Sequence, residues 1–336
     1  MIKKIFGLLI VVFFLFEGII NCQEITYKAG VHTFFDNREY FNNFVVPQTI
    51  LGGRAYLEGG YAIDSYSEFS IGADFLYEFG SRPQTKNIKP ILYYHFNNKP
   101  FEVYMGAFHR QGLFELPYVL QADTFQYYRP NAEGIYLKAE KSWFKQDLWL
   151  DWTSRQADTI RETFLIGGTG KIWNDLLFAR YDFIMYHFAG PAIRIPNDHI
   201  RDNGGMDLVG GIDLSGKTFL DSLSFSTGFT MSYDRLRNVY DLDYRFGSLS
   251  ELLVLYKGLG FRNTLYAGEG QTQMVGDGLY ASKFYDRLDF IWNVFKISRV
   301  KGQVQFSLHF LPGLVDTSQK FAISIDMNER KKLNKN

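Results

Sequence analysis

The sequence predicts an all-β fold, a transmembrane antiparallel up-and-down β-barrel of about sixteen strands, and three observations carry that prediction. The first is a period of two. Along 223–233, Leu223, Phe225, Thr227, Phe229, Met231 and Tyr233 alternate with Ser224, Ser226, Gly228, Thr230 and Ser232. Successive strand side chains point to opposite faces, so this stretch is apolar on one side and small and polar on the other. The second is composition. The 336 residues include 32 Phe and 22 Tyr, yet mean hydropathy is slightly negative, so apolar surface is interleaved with polar residues rather than gathered into runs. The third is the N-terminus, where Lys3 and Lys4 precede an apolar run over 5–16 and a short polar stretch ends at Cys22-Gln23. That order is a secretory signal over 1–22, too short to span a bilayer as a helix.

Taken in order, the two-faced unit recurs at 25–35, 51–63, 69–77, 88–96, 101–110, 134–142, 148–155 and 162–172. It continues at 176–187, 208–214, 223–233, 249–256, 259–266, 284–295, 300–310 and 320–327. Tight connections such as Asn97-Asn98-Lys99-Pro100 and Lys257-Gly258 alternate with long ones, of which 36–50, 111–133, 188–206, 234–248 and 267–283 are the longest. An even count returns both chain ends to one side, and strands of about ten residues fit a tilted bilayer crossing. The barrel therefore occupies 23–328, followed by a basic tail at 329–336. A barrel this wide encloses water, with its apolar face turned to lipid. A soluble β-sandwich is the alternative.

With this pattern over 25–327 the chain resembles bacterial outer-membrane barrels of the porin-like class, and the leader resembles export signals of Bacteroidota. The resemblance implies a multi-pass barrel of the cell outer membrane. Its partners would be the bilayer with its lipopolysaccharide, the outer-membrane assembly machinery, and polar small solutes or saccharides. One feature departs from the class, which commonly ends on a terminal aromatic. Cys22 is the sole cysteine, so an intrachain disulfide is excluded, and whether it is removed or lipidated stays open.

Parity places Arg54, Glu58, Asp74, Arg110, Lys138, Asp151, Arg180, Asp182, Arg262, Arg287 and Asp289 toward the lumen. Nearly balanced signs there read as a weakly selective constriction or as charge pairs between neighbouring strands. Tyr40, Phe41, Tyr127, Tyr128 and Arg129, in long loops, suit stacking and hydrogen bonding to a sugar, or packing over the barrel mouth. The segment 36–40 reads as a partial plug, and the glycine-rich 268–278 as a flexible surface loop. His32 and His309 would approach one another across the closure, and Asp198, His199 and Asp202 form a short, unspecific metal-like cluster.

The hydrolase signatures Gly-x-Ser-x-Gly and His-Glu-x-x-His do not occur in the sequence. A formal net charge of zero points away from nucleic acid. The expectation is thus a barrel without covalent chemistry, cofactor or metal that passes or exports polar solutes. The alternative is a non-conducting scaffold or assembly factor for surface polysaccharide or secretion machinery, with an outer-membrane hydrolase ranked last.

Overall fold

A computed structural model describes residues 24–81, 87–193 and 195–332. The predicted signal, Cys22 and the last residues of the predicted tail lie outside the described residues. Sixteen strands form one closed antiparallel barrel: β1 (Glu24–Glu39), β2 (Gln48–Ala62), β3 (Ser67–Glu78), β4 (Ile88–Asn98), β5 (Phe101–His109), β6 (Asn131–Lys141), β7 (Phe144–Ser154) and β8 (Thr163–Trp173), then β9 (Leu177–Phe188), β10 (Arg201–Asp213), β11 (Ser222–Leu236), β12 (Tyr240–Tyr256), β13 (Leu259–Gly268), β14 (Phe284–Ile297), β15 (Val300–Leu311) and β16 (Leu314–Lys332). Each strand pairs with its neighbours in sequence, and β1 closes the sheet against β16 with Glu24 opposite Lys332 and Gly30 opposite Asp326. Closure removes the free edges that an open sheet would leave.

Alternation decides which face looks out. On β11, Phe225 and Phe229 are exposed whereas Thr230 and Ser232 are buried. On β2, Leu51 and Leu57 are exposed while Arg54 and Glu58 are buried. The outer surface is therefore an apolar belt suited to hydrocarbon, as expected. At the chain-end rim the hairpins are mostly short. Lys257 and Gly258 adopt φ of 48° and 83°, the left-handed pair of a two-residue hairpin whose twist matches its strands.

Four sequence expectations change. Residues 36–39 continue β1 instead of forming a plug, because Asp36 to Arg38 pair with both β2 and β16 and Glu39 pairs with β16. The expected loop 234–248 is nearly all strand, leaving 237–239 as the turn between β11 and β12. β16 runs to Lys332, so Glu329, Arg330 and Lys331 belong to the sheet rather than to a tail.

The fourth change concerns the lumen, which holds a packed core where water was expected. The connection 110–130, with a single helical turn α1 (Phe125–Tyr128), and the connection 269–283 fold inward and meet. Val119, Leu120, Val275, Leu279 and Tyr280 are buried there against Tyr136, Trp149, Leu165, Ile184 and Tyr285 from the wall. Inward-facing aromatics thus supply a dry lining on which the inserted loops rest.

Candidate functional site

The plug is held by main-chain bonds and by charge. The amide of Ala122 donates to Val275 O and that of Asp277 to Tyr118 O, each at 2.8 Å, joining the two loops. The Asp277 carboxylate accepts from the Leu279 amide at 3.1 Å and caps a short 3-10 turn (Gly278–Ala281). At the wall, Asp123 accepts from Arg38 Nη2 at 2.8 Å and from Lys320 Nζ, while Arg38 also holds Asp36 at 2.7 Å. Burial alone would push the Asp123 carboxyl up, but the Lys320, Arg38 and Arg287 cations hold it well below the usual carboxylate range. Asp277 shifts the other way: burial raises it and nearby Asp123 adds to the effect.

The lumen-facing charges pair along the wall instead of converging on one constriction. Arg54 Nη2 sits 2.5 Å from Asp74 and 2.8 Å from His109 Nδ1, and His109 Nε2 is 2.5 Å from Glu58. Arg110 binds Asp151, Lys138 lies 2.5 Å from Glu102, Arg180 lies 2.8 Å from Asp182, Arg262 lies 3.9 Å from Glu251, and Arg287 lies 2.7 Å from Asp289. Asp207, which parity reasoning passed over, is register partner to Asp182, and both are fully buried beside Arg180.

The loop aromatics do not share one surface. Tyr40 is buried with its ring edge-on to His309 at 5.3 Å, and Tyr127 stacks on Phe34 at 4.5 Å. Phe41 is 78% exposed, Tyr128 reaches Glu78, and Arg129 donates to Thr153 O. The two closure histidines also stay apart, since His32 is opposite Ser324 and His309 opposite Asp316 on β16. His309 bridges Ser318 Oγ at 2.9 Å and Tyr285 OH at 2.7 Å. This relay has nucleophile-and-base geometry, but its members are sealed beneath the plug. Asp198 binds Arg161, and Asp202 binds His187 and Arg237. Among the described residues no group of three or more His, Cys, Asp or Glu is arranged to hold a metal ion.

The opposite side of the same three strands carries a second polar network. On β1, β2 and β16 the outward positions read Phe35, Leu51 and Phe321, and directly beyond them Asn37, Thr49 and Gln319. Thr49 Oγ1 donates to Asn37 Oδ1 at 2.8 Å, and Asn37 Nδ2 donates to Gln319 Oε1 at 2.8 Å and to Glu39 Oε1 at 3.0 Å. Gln319 Nε2 reaches Thr317 Oγ1 at 3.2 Å, and Thr317 Oγ1 points to Glu39 Oε2 at 3.4 Å. Hydroxyls, amides and one carboxylate are thus gathered on the outer wall where the apolar belt ends, on the rim away from the chain ends. The sequence reading gives these residues no face, because it takes 36–50 as a connection and begins the last strand at 320, whereas β1, β2 and β16 extend through them.

A family model described as lipid A 3'-O-deacylase-type matches residues 21–333. The chain belongs to this family. The expectation of a barrel without covalent chemistry is thereby overturned, because the family takes its description from the removal of an ester-linked acyl chain. No curated protein sequence matches this deacylase-type barrel. Its fold is shared with outer-membrane porins. A loop-deletion mutant of OmpT from Vibrio cholerae superposes with a TM-score of 0.56 at 8% identity, over 91% of this chain and 100% of that one. An anion-selective porin from Comamonas acidovorans gives 0.56 at 11% identity over 91% and 100%, and OprB from Pseudomonas putida gives 0.52 at 9% over 92% and 94%. These likenesses establish a porin-like outer-membrane fold.

Proposed function

We propose that this barrel, carried to the outer membrane by its leader, hydrolyses an acyl ester on a saccharide lipid of the outer leaflet. Such a substrate has its acyl chains in hydrocarbon and its ester at the polar boundary, so the reacting groups must be reachable from the lipid side. The observation that carries the reading is the outward network of Asn37, Glu39, Thr49, Thr317 and Gln319 at the end of the apolar belt, in a chain of the deacylase-type family. Passage of solutes has the support of the porin-like fold, but packed loops from 110–130 and 269–283 stand across the lumen.

In this reading Glu39, the carboxylate of the network, accepts a proton from water as the water oxygen attacks the ester carbonyl carbon. Gln319, which keeps one amide N–H beyond its bond to Thr317, donates it to the negative charge that develops on the carbonyl oxygen, while Asn37 holds Glu39 and Gln319 in place. The carbon–oxygen bond to the saccharide then breaks, the proton held by Glu39 passes to the departing oxygen, and a free fatty acid and a saccharide hydroxyl result. Thr49 fixes the Asn37 amide by donating to its oxygen.

The test is mass spectrometry of lipid A incubated with the barrel folded in detergent. Loss of one acyl chain is expected, slowed at least about 100-fold by Glu39→Gln, the range typical of a removed general base. Intact lipid A, or equal release by the Glu39→Gln variant, would remove the proposal. Stable current steps in planar bilayers without acyl release would return the barrel to solute passage.

A further inference from the structure

The outer face of β1 and β16 does not end at the polar network. Toward the rim away from the chain ends, the outward positions of β1 read Phe35, Asn37 and Glu39, and those of β16 read Phe321, Gln319 and Thr317. The next outward position on β16 is Val315, half exposed, and the next residue of the same parity after Glu39 is Phe41, the most exposed ring of this rim. Tyr40 between them turns inward onto His309, so the alternation carries on past the end of the strand. The network is thus bordered by apolar surface on both sides, by the belt on one and by Phe41 and Val315 on the other.

Phe41 stands on a fixed main chain. Its amide donates to Asp316 Oδ1 at 2.8 Å, and Asn42 Nδ2 donates to Asp316 Oδ2 at 2.6 Å. Asn42 Oδ1 in turn accepts from the amides of Phe44 at 2.7 Å and Val45 at 2.9 Å. Asp316 is buried, so this clamp ties the connection 40–47 to β16. Tyr40, Tyr127 and Tyr128 are engaged with His309, Phe34 and Glu78, whereas among the described residues no ring stacks on Phe41. A ring whose main chain is already ordered loses little freedom when something packs on it.

On the hydrolytic reading, on which this inference rests, the acyl chain of a bound substrate lies over the belt at Phe35, Leu51 and Phe321. Its ester meets Glu39 and Gln319, and its saccharide lies on the rim side. Extended chain advances at most about 3.6 Å per residue, so Phe41 is within about 7 Å of Glu39 along the chain, the reach of one sugar ring from its ester oxygen. We infer that Phe41 is the saccharide platform of the site: its ring takes the apolar C–H face of the sugar that carries the ester and so sets the ester over Glu39. A flat, exposed aromatic face suits a sugar face, whose hydroxyls at the edge stay in water. Phe41 touches no reacting atom, so its part is positioning and specificity.

The experiment compares the detergent-folded barrel with Phe41→Leu, which keeps an apolar side chain without a ring face, and Phe41→Trp, which keeps the face. Phe41 is exposed, so neither substitution threatens the fold. For acyl release from lipid A, Phe41→Leu should raise KM at least about threefold with kcat nearly unchanged, and Phe41→Trp should keep both. For the same fatty acid esterified to glycerol, Phe41→Leu should leave KM where it is. Saturation-transfer nuclear magnetic resonance with the acyl-free disaccharide of lipid A should show saturable binding that Phe41→Leu weakens by a similar factor and Phe41→Trp retains. Disaccharide binding that is absent, or unmoved by Phe41→Leu, would overturn the inference. An equal rise in KM for the glycerol ester would overturn it too, since Phe41 would then be a contact for hydrocarbon. Should the barrel release no acyl chain from lipid A, the hydrolytic reading falls, and the disaccharide titration still decides whether Phe41 holds a sugar.

Discussion

Residues 36–39 and 317–320 carry two polar networks that differ only in parity. Asp36, Arg38, Ser318 and Lys320 face the lumen, whereas Asn37, Glu39, Thr317 and Gln319 face outward from the same stretch of sheet. Inside are buried formal charges in tight mutual contact with Asp123. Outside are amides and hydroxyls around a single carboxylate, open to the surroundings. The contrast follows from where desolvation is paid. A buried charge must be matched, so the inner set is committed to holding the plug. A rim group is solvated already and is free to bind something else. Substitutions inside should therefore act on stability and those outside on activity.

The largest effect is expected from Asp123→Ala. It leaves Asp36 as the one carboxylate against the two buried cations Arg38 and Lys320, and breaking a buried ion pair from one side costs about 3–5 kcal/mol. Urea unfolding in lipid vesicles should show that loss, and planar-bilayer current should rise as the 110–130 connection loosens. Unchanged unfolding would mean that the inner charges do not anchor the plug. Next is Leu279→Ala, which empties a fully buried site between the inserted loop and the wall and should cost about 2–4 kcal/mol. Its signature differs, since no charge is stranded and the deficit should persist in high salt.

Acid gives a smaller, signed effect. Asp123 is depressed below its unfolded value of 3.8, so its contribution is complete above that pH and lost as pH falls through the lower folded value. Asp277 is raised, so its ionised form opposes the folded state near neutrality, and that opposition eases as pH falls through its folded value. Between pH 7 and about pH 4 the plug should hold or tighten slightly, and below the ordinary carboxylate range it should loosen. Urea midpoints at pH 7, 4.5 and 3 test this order. Asp277→Asn should abolish the gain on mild acidification while leaving the loss at pH 3.

The wall was legible in the sequence because lipid outside and polar groups inside enforce a strict period of two, as in Phe225, Thr227 and Phe229 against Ser226, Gly228 and Thr230. The long hairpin of β11 and β12 was misread as a loop because Asp241, Asp243 and Arg245 outweighed the alternating Tyr240, Leu242, Tyr244 and Phe246, all exposed on one face. The plug was not legible, since nothing local tells a loop to turn inward. A partial signal existed in Leu113-Phe114-Glu115-Leu116-Pro117-Tyr118-Val119-Leu120, too apolar for a loop in water. Of the lumen charges, the pairing between neighbouring strands could be anticipated. The outer network was hidden by strand ends set too short, since 36–50 reads as a connection and 317–319 precede the last predicted strand, while β1, β2 and β16 run through these positions.

The smallest structural effect should come from that outer network. Thr317→Val and Glu39→Gln each remove one partner from bonds of 3.0–3.4 Å at the rim. Water can replace what is lost, so unfolding should shift by less than about 0.5 kcal/mol. The two substitutions should nonetheless separate in acyl release. Glu39→Gln removes the base, whereas Thr317→Val removes only a hydroxyl that supports Glu39 and Gln319, and so should slow release by less than the carboxylate change does. If instead both substitutions destabilised the barrel as Asp123→Ala is expected to, the outward network would be a structural clasp for the seam between β1 and β16, and the division of labour between the two faces of these strands would fail.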